Sequence, residues 1–144
     1  MLSLNITDVK GFMSKLLKDG TFDNFALHRL TIKNFACFEI YKETDKPAPP
    51  WAAIRPYAYE IVKADKTAPP QAIKIVLASQ NDGLGVDDGV ALFTNIIFED
   101  GKTTITTGVA QKNFSLDKST QIRWDEHILK FLNDNDVHYT NNLI

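Results

Sequence analysis

Phe98-Glu99-Asp100-Gly101-Lys102 sets an Asp-Gly pair between two apolar and β-branched runs. Asp-Gly favours the positive φ angles of a two-residue hairpin turn, so this is a strong local signal for a β-hairpin. Residues 90–99 and 102–111 are its expected strands. Working outward, residues 71–135 read as strand, loop, strand, tight turn, strand and helix. The expected class is α+β: an antiparallel sheet of about five to six strands, with an N-terminal and a C-terminal helix packed on one face. A helix-grip arrangement, with the sheet wrapped around the C-terminal helix and a ligand cavity between them, fits this order of elements.

The C-terminal helix is expected to start at Asp117 as its cap and to carry Trp124, Ile128, Phe131 and Leu132, with Leu129 beside them. Asn133-Asp134-Asn135 stops it, and the tail to Ile144 is read as loose or as a last short strand. At the other end, Leu2, Leu4 and Ile6 alternate as a short strand. Thr7 is the expected N-cap of a first helix whose apolar stripe is Val9, Phe12, Met13, Leu16 and Leu17. Gly20 is its expected C′ residue, and Gly11 weakens its interior, either for close packing or for no structural reason. Residues 27–42 read as one long strand, with Leu30, Ile32, Ala36, Phe38 and Ile40 on one face and Arg29, Thr31, Lys33, Glu39 and Tyr41 on the other. A proline-rich connection, 43–51, leads to a further strand over 53–63, and Lys66-Thr67-Ala68-Pro69-Pro70 turns the chain into the strand at 71–79.

The 144 residues suffice for one domain with a sizeable core. The net charge of −2 argues against a non-specific nucleic-acid binder, which would usually be basic. A single cysteine, Cys37, rules out an internal disulfide framework and a Cys-rich zinc site. The N-terminal residues alternate like a strand and lack a basic segment before an apolar one, so no secretory leader is expected. No run approaches the roughly 18 apolar residues that span a membrane. A cytoplasmic protein is the expectation.

The segment from Trp51 to Lys74 is the most distinctive in composition. It holds Trp51, Arg55, Tyr57, Tyr59, Lys63, Lys66 and Lys74, with few acids. On a strand, Arg55, Tyr57, Tyr59, Ile61 and Lys63 share one face. Two tyrosines between two cations can stack a planar group and hold an anion. Trp51, Arg55, Tyr57, Tyr59, Lys63 and Lys74 are therefore the candidate ligand-binding residues. The bland alternative is an amphipathic strand whose tyrosines pack inward while the cations snorkel at its ends.

Other features carry less. Gly83-Leu84-Gly85-Val86-Asp87-Asp88-Gly89 has neither the spacing, the lysine nor the following helix of a phosphate loop, and its aspartates do not match an EF-hand. His28, His127 and His138 are scattered, and no metal or other cofactor motif is present. Cys37 is expected to be a buried, inert thiol, too far along its strand from His28 to pair with it. No catalytic constellation stands out, and no catalytic residue is assigned.

Ile6-Thr7-Asp8-Val9-Lys10, Phe12-Met13, Lys15-Leu16-Leu17, Thr21-Phe22-Asp23, Arg55-Pro56, Lys74-Ile75-Val76 and Leu116-Asp117-Lys118-Ser119 together resemble an uncharacterised bacterial family. That family is known chiefly from anaerobic Gram-positive species and carries only a domain-of-unknown-function label. The resemblance covers most of the chain in order, with shorter segments around 40–50 and 80–89. It implies one domain over 1–144 and a cytoplasmic setting, and it transfers no activity, substrate or catalytic residue. The expected role is a non-enzymatic module binding a small anionic ligand or a protein partner. Two alternatives stay open: an enzyme whose site assembles only in three dimensions, and a nucleotide or nucleic-acid binder using Arg55, Lys63, Lys66 and Lys74.

Overall fold

The computed structural model describes residues 1–79, 90–111 and 118–142. Its elements run β1 (Ser3–Ile6), α1 (Val9–Leu17), β2 (Phe25–Lys33), β3 (Cys37–Tyr41), α2 (Trp51–Val62), β4 (Ala72–Ser79), β5 (Val90–Glu99), β6 (Lys102–Gln111), α3 (Ser119–Asp134) and β7 (Tyr139–Asn141). The seven strands form one antiparallel sheet in the order β3-β2-β4-β5-β6-β1-β7. No described helix is long and apolar enough to cross a membrane.

The β5–β6 hairpin forms as its turn requires. Glu99 pairs with Lys102, and Asp100 and Gly101 both take positive φ, 53° and 75°. These are the signs of a type I′ turn, whose twist matches that of the flanking strands.

Alternation then fixes which side of the sheet is buried. Leu30 pairs with Ile75, Ile75 with Ile96, Ile96 with Ile105 and Ile105 with Leu4, so one row of apolar side chains crosses five strands. All five are at most 1% exposed. The three helices contribute Phe12, Leu16, Trp51, Ala58, Trp124, Ile128 and Leu132 to the same buried cluster. T-shaped aromatic contacts join Phe12 to Phe22 and Phe22 to Phe131. Beyond burial, Thr107 locks α3 to the sheet: it donates to Asp125 Oδ1 at 2.5 Å and accepts from the Leu2 amide at 2.9 Å.

Several boundaries differ from the sequence reading, each for a local reason. Residues 27–42 are two strands, with a turn at Asn34-Phe35-Ala36 and Lys33 paired with Cys37. The Asn34 side chain accepts from the Ala36 amide, a backbone-mimicking bond typical of asparagine at turns. Lys33 and Cys37 differ by an even number of residues, so the in/out alternation continues in phase across the turn and hides it. Cys37 is exposed on an edge strand, not buried. The turn also shortens its separation from His28 to about five strand residues, roughly 17 Å, still beyond pairing. The residues read as a strand over 53–63 form α2 instead. Trp51, Ile54, Ala58, Ile61 and Val62 recur at helical spacing, and Ala52, Ala53 and Ala58 favour a helix over a strand. Asp117 and the loop at 80–89 lie outside the described residues.

Both described ends of α1 also shift. Gly20 is not a left-handed C′ residue; the helix ends at Leu17, with the Lys18 amide donating to Ser14 O. Asp8, not Thr7, is the N-cap, its Oδ1 accepting from the Gly11 amide at 3.1 Å. This explains Gly11. A Cβ there would lie 2.3 Å from Asp8 Oδ2, so any larger residue displaces the capping carboxylate. Gly11→Ala gains about 1 kcal/mol of helix propensity and loses a cap worth about 1 kcal/mol. We expect Gly11→Ala alone to leave stability nearly unchanged, and the same change in an Asp8→Ala background to stabilise by about 1 kcal/mol. A double-mutant cycle by urea denaturation reads the coupling; purely additive effects would show that the two residues are independent.

α3 ends in a Schellman motif: the Val137 amide donates to Leu132 O at 2.9 Å and the Asp136 amide to Asn133 O at 3.3 Å. Asp136 supplies the left-handed residue at φ 57°. Val137 and Leu132 are both buried, the apolar contact that accompanies this motif. The chain then enters β7, the short last strand that the sequence allowed.

Candidate functional site

The helical turn of α2 redistributes the residues that composition singled out. Trp51, Arg55 and Tyr59 sit four residues apart and form one stripe, and that stripe meets the C-terminal end of α1. The last carbonyls of a helix have no partner within it. Trp51, wholly buried, donates its indole N–H to Leu16 O at 2.9 Å. Arg55 donates Nη1 to Lys18 O at 3.1 Å, and its Nε and Nη2 grip Asp23 Oδ1 and Oδ2 at 3.0 and 3.1 Å. The cation thus lies at the negative end of the α1 dipole. Lys18 extends back over the Tyr59 ring, 5.7 Å from its centroid, and Lys63 lies over the same ring at 4.7 Å.

Arg55, the strongest anion-binding candidate in the sequence, therefore has its guanidinium fork occupied by Asp23. Tyr57 points away from the stripe and is 67% exposed. Lys63 pairs with Glu60. Lys74 is in β4 and is not brought to this group at all. The stripe acts as a shared cap that fixes α2 against α1. Arg55→Lys is expected to cost about 2 kcal/mol, because an ammonium cannot satisfy both Asp23 oxygens and the Lys18 carbonyl together. Chemical denaturation measures this, and a loss below about 0.5 kcal/mol would remove the capping role. Beside this cap, hydrogen bonds from the Thr21 hydroxyl and amide hold the Asp19 carboxyl below its ordinary range. That exposed turn is thus best held above the unfolded-state carboxylate pKa and loosens as pH falls through the lowered one.

Among the described residues, clefts also lie away from this stripe. One, of about 200 Å³, opens at the N-terminus of α1 and is lined by Asp8, Gly11, Lys15, Asp136 and His138. Asp8 already caps the helix there, and no three His, Cys, Asp or Glu among the described residues could hold a metal ion.

The second cleft, of about 290 Å³, lies on the face of the sheet opposite the described helices, uncovered among the described residues. The side chains of this face are the partners of the buried ones in each alternation. Arg29 pairs with Val76 and Val76 with Asn95; Thr31 pairs with Lys74 and Lys74 with Ile97; Lys33 pairs with Ala72 and Ala72 with Glu99. None of these nine is buried. The cleft is lined by Thr31, Lys33, Ala72, Lys74, Ile97 and Glu99, from three strands. Lys33 and Lys74 are diagonal neighbours across β2 and β4, on either side of the Thr31 position. Neither has a carboxylate within 4.0 Å among the described residues, although Glu99 is at the rim. Glu99 itself stands opposite Lys102. Arg29 is engaged: its Nη2 donates to Glu39 at 3.2 Å, and its guanidinium lies over the Tyr41 ring at 5.6 Å.

Of the six residues expected to bind a ligand, only Lys74 lines this cleft. Lys33, Thr31, Ile97 and Glu99 were not singled out. The alternation did assign Thr31 and Lys33 to the polar face of their strand, but only the strand order and register show that Lys74, Ile97 and Glu99 are their neighbours.

No curated protein and no solved structure matches the chain. A family model described as a family of unknown function (DUF5721) matches residues 15–140, and the chain belongs to that family.

Proposed function

We propose that this member of the family is a non-enzymatic binding module that holds a small anionic ligand on the uncovered face of its sheet. The observation that carries this reading is the pair Lys33 and Lys74: two adjacent cations, without a counter-charge within ion-pair distance among the described residues, beside the apolar side chains of Ala72 and Ile97. Like charges this close repel. An anion between them relieves that repulsion, and the apolar residues give the rest of a small ligand something to cover. Both lysines are exposed among the described residues, so a ligand can reach them.

The test is a titration of isotope-labelled protein with a panel of phosphorylated and carboxylated metabolites, followed by amide shifts. Binding should move the amides of Thr31, Lys33, Lys74 and Ile97, and both Lys33→Gln and Lys74→Gln should weaken it. Arg55→Ala, on the covered side of the molecule, should leave any remaining folded protein with unchanged affinity. A ligand that shifts only α1 and α2 residues and is lost with Arg55→Ala would restore the Trp51–Lys63 stripe as the site and remove this one. Silence across the whole panel would overturn the binding role of the cleft.

A further inference from the structure

We infer that the ligand of the sheet-face cleft is a phosphate monoester that also carries a hydroxyl group, of the kind found in phosphorylated sugars and polyols; this rests on the reading that the cleft binds an anion. Three observations select the chemistry. The first is charge. Two cations, Lys33 and Lys74, line the cleft, and its one anion, Glu99, stands opposite Lys102 outside the lining, so the charge of the lysine pair is left to answer. A phosphate monoester carries about −1.5 to −2 at neutral pH and matches this, whereas a carboxylate leaves one charge unanswered.

The second is donor geometry. Planar carboxylates are best held by the two parallel N–H groups of an arginine fork. The arginine on this part of the face, Arg29, is taken by Glu39 and Tyr41. What remains is two ammonium groups, compact charges with rotatable donors, approaching from neighbouring strands. A tetrahedral oxyanion offers an oxygen to each of them and a third to the Thr31 hydroxyl between them. The third observation is Glu99. A carboxylate at the rim of an anion site repels a bare anion, but it accepts a hydrogen bond from a hydroxyl carried a few atoms away. It faces the cleft across the Ala72 position, which leaves room for a short carbon chain over Ala72 and Ile97.

The experiment compares four probes on the full chain by amide shift titration: glycerol 3-phosphate, glycerate, inorganic phosphate and glycerol. Glycerol 3-phosphate should bind at Thr31, Lys33, Lys74 and Ile97 at least about tenfold more tightly than glycerate, a difference of about 1.4 kcal/mol. Lys33→Gln and Lys74→Gln should each abolish that preference while melting at the parental temperature. Glu99→Ala, which removes the acceptor, should bring glycerol 3-phosphate and inorganic phosphate to similar affinities. Glycerate binding as tightly as glycerol 3-phosphate at these residues would overturn the phosphate assignment and leave the anion site standing. A Glu99→Ala variant that still prefers glycerol 3-phosphate over inorganic phosphate would overturn the hydroxyl contact. No shift on this face with any probe would overturn the inference and the binding role together.

Discussion

Trp51→Ala is expected to remove about 3–5 kcal/mol of stability by its cavity alone, and a further 1–3 kcal/mol or so by leaving a buried carbonyl unpaired. Trp51 is wholly buried, and its indole N–H is the partner of Leu16 O at 2.9 Å. That carbonyl belongs to the last turn of α1, where no helical amide can reach it. The indole thus fills the space between α1, α2 and the sheet and closes the end of a helix in one contact. Domains of this size hold together by only about 5–15 kcal/mol, so the variant should be largely unfolded near physiological temperature. Trp51→Phe separates the two contributions: it keeps most of the apolar volume and leaves the carbonyl, and should cost about 2 kcal/mol. Urea denaturation of both variants measures the difference. A Trp51→Ala protein within 1 kcal/mol of the parent would mean that α2 is not fixed in this way.

The same residue shows where the sequence was legible and where it was not. The β5–β6 hairpin, the α1 stripe and the α3 stripe were readable because each is specified by neighbours in the chain: a turn pair with positive φ, or apolar residues at a clean helical period. α2 failed this test. Pro50 and Pro56 bracket its first turns, and both discourage a helical reading, yet the first serves as the N-cap and the second lies inside the helix. With Arg55, Tyr57, Tyr59, Ile61 and Lys63 at every second position, the segment satisfies a period of two as well as a period of 3.6. Tertiary contact decided between them: only the helix brings Trp51, Arg55 and Tyr59 together against α1. The aromatic and cationic content that looked like a ligand site was the composition of a helix cap.

The sheet-face cleft was hidden for a different reason. Its residues come from three strands and span positions 31 to 99, and none is unusual in its own segment. Alternation tells which face a side chain takes but not which strand lies beside it. β4 sits between β2 and β5, with β3 outside β2, because the hairpin turn at Asn34 frees the other edge of β2 for pairing with β4. That turn was invisible in the alternation, and so was the neighbourhood of Lys33 and Lys74 that depends on it.

Trp124→Ala should destabilise by about 3–5 kcal/mol, and it tests the attachment of α3 as Trp51→Ala tests that of α2. Trp124 is wholly buried, donates its indole N–H to Phe93 O of β5 at 2.8 Å, and stacks on His127 at 5.4 Å. Ile128 and Leu132 follow at one-turn intervals, each at most 1% exposed, so the tryptophan is the first of three anchors along the helix. Losing it should weaken the whole stripe, because the Thr107–Asp125 bond holds the same turn of α3 and depends on its position. Hydrogen exchange should therefore quicken across α3 and at the β1–β6 pairing while the β2–β3 edge changes less. The milder Trp124→Phe is the variant for binding experiments. It acts on the covered side of the sheet, so a folded Trp124→Phe protein should bind at Lys33 and Lys74 as the parent does. A Trp124→Ala protein melting within a degree or two of the parent would show that α3 is an appendage and that the sheet carries its own core without it.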